Sequence, residues 1–198
     1  MNLANKLTIF RIILVVVMVV VALFDVNETL WGMPVIALIL NAIFIIASIT
    51  DKLDGYIARS RNEITTFGKF LDPIADKLLV VTAMIILVEM NRLPSWIPTI
   101  IIFREFIVSG YRLIAVENGG GVIAASIWGK LKTVTQMIAV MVAFIDVNPF
   151  GAIFSQELNT YNFVINSITT IMMIVCVIAT VFSGWDYLKG GKDLIKTK

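Results

Sequence analysis

Long apolar runs alternate with short polar breaks along the whole chain, and the runs are of a length that crosses a bilayer as a helix. The first covers about residues 7–24. It follows a short polar start, 1–11, that carries Lys6 and Arg11 and no small-residue cleavage site, so it reads as a retained entry segment and not a signal peptide. The second runs from about 31 to 59, longer than the ~20 residues a span needs, so its last turns, with Asp51 and Asp54, project towards the interface. The third begins near 66–68 and ends near Glu89, placing Asp72 and Asp76 in its first turns at membrane depth. Pro73, within the first turns of this helix, is tolerable only near its start. The fourth, fifth and sixth runs cover about 96–117, 127–145 and 162–182. The polar breaks fall at Asp25, Asn27 and Glu28, at 91–95, at Asn118 with its three following glycines, and at 146–159, the longest, with Pro149 and Gly151. A basic tail, 184–198, closes the chain. The pattern predicts an all-α integral membrane protein: six transmembrane helices in one bundle, one domain over 1–198, both termini on the same side.

Composition points the same way. Hydrophobic residues make up 59% of the chain and charged residues 15%, and the mean hydropathy is +0.92, against about 45–50% apolar and about 25% charged in a soluble domain. A net charge of +2 is too small to argue for a nucleic-acid partner. Histidine is absent, which excludes Ser-His-Asp and Cys-His mechanisms and imidazole zinc sites. The single cysteine, Cys176, lies in an apolar run and reads as an inert lipid- or helix-facing residue.

The distribution of basic residues orients the bundle. With both termini cytoplasmic, Lys6, Arg11, Arg59, Arg61, Lys69, Arg112, Lys130, Lys132 and the tail lysines fall on cytoplasmic loops or helix ends. The opposite loops hold Arg92 against the acids Asp25, Glu28, Glu89, Asp146 and Glu157. The expected location is the plasma membrane, with the aspartates facing the cytoplasm. Trp31, Trp96, Trp128 and Trp185 fall near span ends, where interfacial anchoring accounts for them.

Candidate chemistry concentrates between Asp51 and Asp76. Asp51 and Asp54 are three apart and Asp72 and Asp76 four apart, so each pair makes a two-carboxylate patch on one helix face. A charge at membrane depth costs at least ~2.5–3.5 kcal/mol, so these acids, with Lys77, Arg104 and Glu105, require partners. Three readings are open: structural salt bridges, a metal site between converging carboxylates, or a proton or cation pathway. Lys77 does not serve Asp76, because adjacent helical residues point apart. The available donors are hard oxygens, which suit Mg²⁺, Mn²⁺ or Ca²⁺. Two such ions are a known clamp for phosphoryl displacement, and a spare carboxylate can act as general base.

The same stretch, DKLDGYIARSRNEITTFGKFLDPIAD, resembles the signature of the CDP-alcohol phosphotransferases: Asp-x2-Asp-Gly-x2-Ala-Arg, eight residues, Gly-x3-Asp-x3-Asp. Asp51, Asp54, Gly55, Ala58, Arg59, Gly68, Asp72 and Asp76 fill every fixed position. The resemblance implies transfer of a phosphatidyl group from CDP-diacylglycerol to an alcohol, with CMP leaving. It implies that Asp51, Asp54, Asp72 and Asp76 bind two divalent ions, Mg²⁺ or Mn²⁺, and that Asp76 is the base. Gly55, Ala58 and Gly68 would line the CDP-lipid site. Arg59, Asn5 and Thr8 either join them or serve as a structural arginine and a helix cap. A homodimer embedded in membrane lipid is the family's expected form.

The flanks bear on the acceptor. Asn2-Leu3-Ala4-Asn5-Lys6-Leu7-Thr8 followed by Arg11 is similar to the Asn-x-Pro-Asn-x-Leu-Thr-x2-Arg opening of bacterial phosphatidylglycerophosphate synthases, with Ala4 where proline is usual. Arg104-Glu105-Phe106, Gly129-Lys130-x-Lys132-Thr133 with Gln136, and Ser183-Gly184 with Tyr187 resemble the same subfamily, which implies glycerol 3-phosphate as acceptor. Beside that, Arg104 and Arg112 are eight apart on one helix and Lys130 and Lys132 begin the next, so together they can form a cationic pocket for a phosphorylated alcohol. Ordinary flanking charges account equally for Lys130 and Lys132, and Arg104 can instead neutralise an aspartate or pair with Glu105. The rival within the class is a cardiolipin synthase, where Arg-Asp is expected in place of Arg104-Glu105. The rival from another class is a cation or proton transporter, which has no need of glycines locked to the aspartate spacing.

Overall fold

The computed structural model describes residues 3–24, 28–60, 66–117 and 127–190. Six α-helices dominate: α1 Leu3–Ala22, α2 Val35–Ser60, α3 Thr66–Glu89, α4 Trp96–Glu117, α5 Ile127–Ile145 and α6 Thr160–Gly190. The helices α3, α4 and α5 occupy the expected stretches, because each is a continuous apolar run between turn-forming residues. Among the described residues, three segments are long and apolar enough to cross a membrane: Asn5–Ala22, Ile127–Ile145 and Thr160–Lys189. Charged residues interrupt α2, α3 and α4, and those charges build the site described below.

Three boundaries differ from the expectation by four residues or more. The first helix, expected from about residue 7, already begins at Leu3. The helix expected from residue 31 starts at Val35, because Thr29–Leu30 first pairs antiparallel with Met33–Pro34. Trp31 and Gly32 make the connecting turn at φ 54° and 77°, and the Val35 N–H donates to the Glu28 carbonyl at 3.0 Å. The last helix, expected to end near Phe182, continues to Gly190. It continues because one face of the extra turns is buried: Ser183 and Tyr187, four apart, are both enclosed.

In the bundle α1 packs on α2 and α3, α5 packs on α6 and α2, and α4 leans on α6. The core is built from Met18, Leu40, Phe44, Leu79, Met84, Leu87, Val140, Phe144 and Met173, with the Phe44 and Phe144 rings 6.4 Å apart. Cys176 lies in this core, facing other helices as expected. The outer surface is also apolar, as at Val16, Val20, Phe103, Phe106, Ile171 and Phe182, which suits lipid as the surrounding solvent. Hydroxyls inside the helices satisfy themselves locally: Ser48 donates to the Phe44 carbonyl at 2.7 Å and Thr180 to that of Cys176 at 2.7 Å.

At the end of the bundle where α3 turns into α4, polar groups lock the loops. Asn91 takes the left-handed conformation (φ 56°) and ends α3, as the Arg92 N–H donates back to the Leu87 carbonyl at 2.9 Å. Arg92 reaches across to the last turn of α5, donating to the carbonyls of Phe144 (2.5 Å) and Ala143 (3.3 Å). Burial pulls its guanidinium below the usual range, and the Asp146 carboxylate acts against that pull. Asn166 joins α6 to the long loop: it donates to Asp146 (2.8 Å) and the Pro149 carbonyl (2.9 Å) and accepts from the Ile153 N–H (3.1 Å).

Candidate active site

The chemistry-bearing residues gather toward the other end of the bundle, in the first halves of α1, α3 and α5, the second halves of α2 and α6, and the stretch of α4 from its middle onward. On α1, Asn5, Thr8 and Arg11 follow one another at three-residue spacing and are all buried. The fully buried Arg11 guanidinium meets the Asp51 carboxylate of α2 at 2.7 Å. Asp51 keeps 37% of its side-chain surface exposed, so this is a half-open pair. Asp76, on α3, is exposed on its outer side and lies within electrostatic reach of Asp51 and Glu105, which repel it, and of Arg11 and Lys132, which attract it. Asp51 of α2 and Asp76 of α3 are thus within electrostatic reach of each other. Gly68 is buried in the first turn of α3. The side chains of Asp54, Arg59 and Asp72, and the surroundings of Gly55 and Ala58, lie outside the described residues, although all five positions are helical.

Beside the acids lies a basic cluster. Glu105 on α4 is its hub, bound by Lys132 of the next helix at 2.6 Å and by Arg104 at 2.9 Å. Neighbours on a helix do not ordinarily face each other, but the arginine stem is long enough to fold back to the carboxylate beside it. Arg104 also donates to the Ser183 hydroxyl of α6. A Cβ at Gly184 would stand 3.4 Å from the Arg104 Cγ, so the absence of a side chain there lets α6 lie against the arginine stem. Lys77 donates to Ser109 and not to its neighbour Asp76, and Ser109 in turn donates to the Glu105 carbonyl at 2.7 Å. Arg112 donates to the Tyr187 hydroxyl at 2.6 Å. The Tyr187 ring lies under both arginines, with the guanidinium carbons of Arg104 and Arg112 at 5.7 and 5.4 Å from its centroid. Lys130 is exposed in the first turn of α5, whereas Lys132 is buried.

The structure thus brings Arg104, Arg112 and Lys132 of the expected cationic pocket to one place, and adds Lys77, Ser109, Ser183 and Tyr187 to it. Ser183 and Tyr187 carry no charge and lie beyond the expected end of α6. The likeness of Ser183-Gly184 with Tyr187 to the subfamily, and their four-residue spacing, were the available signs.

The donor set suits a hard divalent cation. Asp51 and Asp76 supply carboxylate oxygens from two helices, and the guanidinium of Arg11 is already compensating the charge of Asp51. Among the described residues no three acidic or thiol side chains converge. Asp54 and Asp72, one helical turn from Asp51 and Asp76, are the positions that would complete such a group.

Comparison with known proteins agrees with this arrangement. A family model described as CDP-alcohol phosphatidyltransferase matches residues 1–185. The chain is 42% identical to the CDP-diacylglycerol–glycerol-3-phosphate 3-phosphatidyltransferase of Bacillus subtilis, over 99% of this chain and 98% of that protein. Proteins of the same name from Haemophilus influenzae and Rickettsia typhi are 37% and 36% identical, each over 96% of this chain and over 94% and 97% of their own lengths. A family match across nearly the whole length, with full-length relatives at this identity, leaves one conclusion: the chain belongs to the CDP-alcohol phosphatidyltransferase family.

Proposed function

We propose that this protein transfers the phosphatidyl group of CDP-diacylglycerol to sn-glycerol 3-phosphate, forming phosphatidylglycerophosphate and releasing CMP. The observation that supports the reading is that Asp76 lies within electrostatic reach both of Asp51 and of Lys132 and Glu105 in the basic cluster, in a chain whose full-length relatives bear that name. Acids next to cations are what a reaction between a pyrophosphate and a phosphorylated alcohol calls for.

Asp51, Asp54, Asp72 and Asp76 are the residues that would hold two Mg²⁺ or Mn²⁺ ions. Bound there, such ions neutralise a pyrophosphate and stabilise the departing phosphate. Asp76 takes the proton of the acceptor hydroxyl as its oxygen bonds to the phosphatidyl phosphorus, and the bond from that phosphorus to the CMP oxygen breaks. Arg104, Arg112, Lys130 and Lys132 hold the acceptor's phosphate, and the guanidinium geometry favours bidentate contact. Gly55, Ala58, Gly68, Arg59, Asn5 and Thr8 form the CDP-lipid site, where small residues let the nucleotide lie against the helices. Asn5 and Thr8, buried on the α1 face that also carries Arg11, support that placement.

The reading extends to the setting. Site residues alternate between first and second halves of successive helices, which supports six crossings with both termini on one side. The bias of basic residues supports a cytoplasmic site in the plasma membrane, and the chain acts as a homodimer.

The test is CMP release by purified protein with CDP-diacylglycerol and Mg²⁺, comparing glycerol 3-phosphate, serine, inositol phosphate and phosphatidylglycerol, with an EDTA control. Metal-dependent release with glycerol 3-phosphate alone is expected. Release with phosphatidylglycerol would make the protein a cardiolipin synthase. Release with another alcohol would keep the aspartate site and discard the cationic pocket. No release from folded protein would favour an ion-transport role for the acids.

A further inference from the structure

We infer that Tyr187 is a positioning residue for the acceptor's phosphate: its ring and hydroxyl hold Arg104 and Arg112 together so that both guanidiniums meet the same anion. The inference rests on the proposed transfer to glycerol 3-phosphate and names a residue through which that selectivity is built.

Helix geometry alone would keep these two charges apart. Arg104 and Arg112 are eight residues apart on α4, about 12 Å along the axis at ~1.5 Å per residue. Yet both guanidinium carbons lie within 5.7 Å of one ring centroid, that of Tyr187 on α6. Tyr187 is itself 2% exposed, so its ring is fixed by packing and cannot swing aside to follow the arginines. One residue of α6 therefore touches both arginines and sets where each guanidinium rests.

Bringing two cations together costs free energy unless an anion compensates them. Glu105 compensates Arg104, but it is shared with Lys132. The partner drawn for Arg112 is the Tyr187 hydroxyl, which is neutral and accepts its hydrogen bond at 2.6 Å. Among the described residues, Lys77, Arg104 and Lys132 share the influence of the Glu105 carboxylate, while Arg112 meets the neutral Tyr187 hydroxyl. The Nε of Arg104 is buried with no hydrogen-bond partner among them. Arg112 is exposed on its outer side. Such a site carries a surplus of positive charge, an unused donor and an opening, which matches a small dianion with several terminal oxygens. A tyrosine that only packed α4 against α6 would not require both cations on its ring.

The experiment uses the full chain in lipid nanodiscs, measuring initial rates of CMP release while glycerol 3-phosphate and CDP-diacylglycerol are varied in turn. Tyr187→Leu removes ring and hydroxyl, and is expected to raise KM for glycerol 3-phosphate about tenfold, with KM for CDP-diacylglycerol and kcat changing less than about twofold. Tyr187→Phe keeps the ring and is expected to fall in between, at about threefold. Because Tyr187 acts through the arginines, Tyr187→Leu combined with Arg112→Ala should raise that KM little beyond Arg112→Ala alone. An unchanged KM in both tyrosine variants, a parallel loss in both substrates and kcat, or fully multiplicative effects would each overturn the inference and leave the proposed reaction standing. Wild-type protein that releases CMP only with an unphosphorylated alcohol would overturn both.

Discussion

Each end of the bundle contains a buried arginine. At the α3–α4 turn, Arg92 gives its hydrogen bonds to two α5 carbonyls, while the neighbouring Asp146 accepts from Asn148 and Asn166. Polar groups there are met by neutral partners held in fixed loops, and Asp146 is 1% exposed. At the aspartate end, Arg11 faces Asp51, a carboxylate that stays 37% exposed, Arg104, Lys77 and Lys132 act on Glu105, and Arg112 rests on Tyr187. Among the described residues those groups span all six helices and hold more cations than the acids they meet. Burying a charge is costly at either end. Where every donor and acceptor is matched, the result is a clamp that holds the fold. Where acids and bases stand together, half open and unequal, the cost is retained because something else binds there.

Three substitutions press on that contrast, taken from the largest expected effect. Asp76→Asn removes the proposed base and leaves the shape, so CMP release should fall by about a thousandfold, while the variant still binds CDP-diacylglycerol and Mn²⁺ in equilibrium titrations. If it loses metal as completely as Asp51→Asn, Asp76 serves chiefly to hold the ions and its assignment as the base falls.

Asn166→Leu probes the other end. It strands the Asp146 carboxylate, the Pro149 carbonyl and the Ile153 N–H, and should cost on the order of 3 kcal/mol, read from unfolding in mild detergent. The turnover of the molecules that remain folded should not change. A fall in kcat with stability intact would mean that the two ends are coupled and that the division drawn above is wrong.

Arg112→Ala should raise KM for glycerol 3-phosphate by about tenfold to a hundredfold, the worth of a charged hydrogen bond, with a far smaller effect on CDP-diacylglycerol. Steady-state kinetics with each substrate varied separates the two. Equal effects would remove Arg112 from the acceptor pocket and reduce the basic cluster to structural pairing.

Much of this was open to reading in the primary structure, because the informative relations are local. The spacing of Asp51 from Asp54 and of Asp72 from Asp76 is a property of one helix each, fixed by its 3.6-residue period. The apolar runs of α3, α4 and α5 mark those helices for the same reason. The short Thr29–Pro34 hairpin escaped notice because an apolar tryptophan sits in its turn, at a φ that such residues seldom take. Asn166 escaped because it is one uncharged residue in an apolar helix, with partners in a loop that periodicity cannot place. The far end of α6 was read as part of the tail because Ser183, Gly184, Asp186 and Lys189 break the apolar run there.

The chain by itself determined that it would be helical and membrane-embedded, and that it would present carboxylates on two successive helices, since backbone hydrogen bonding in lipid permits little else and helical periodicity does the rest. Only the tertiary structure decided what those charges meet. Arg11 reaches Asp51 across 40 positions, Lys132 reaches Glu105 across 27, and Arg112 reaches Tyr187 across 75. Such partnerships depend on which helices lie side by side, and packing of the whole bundle settles that where no local pattern can.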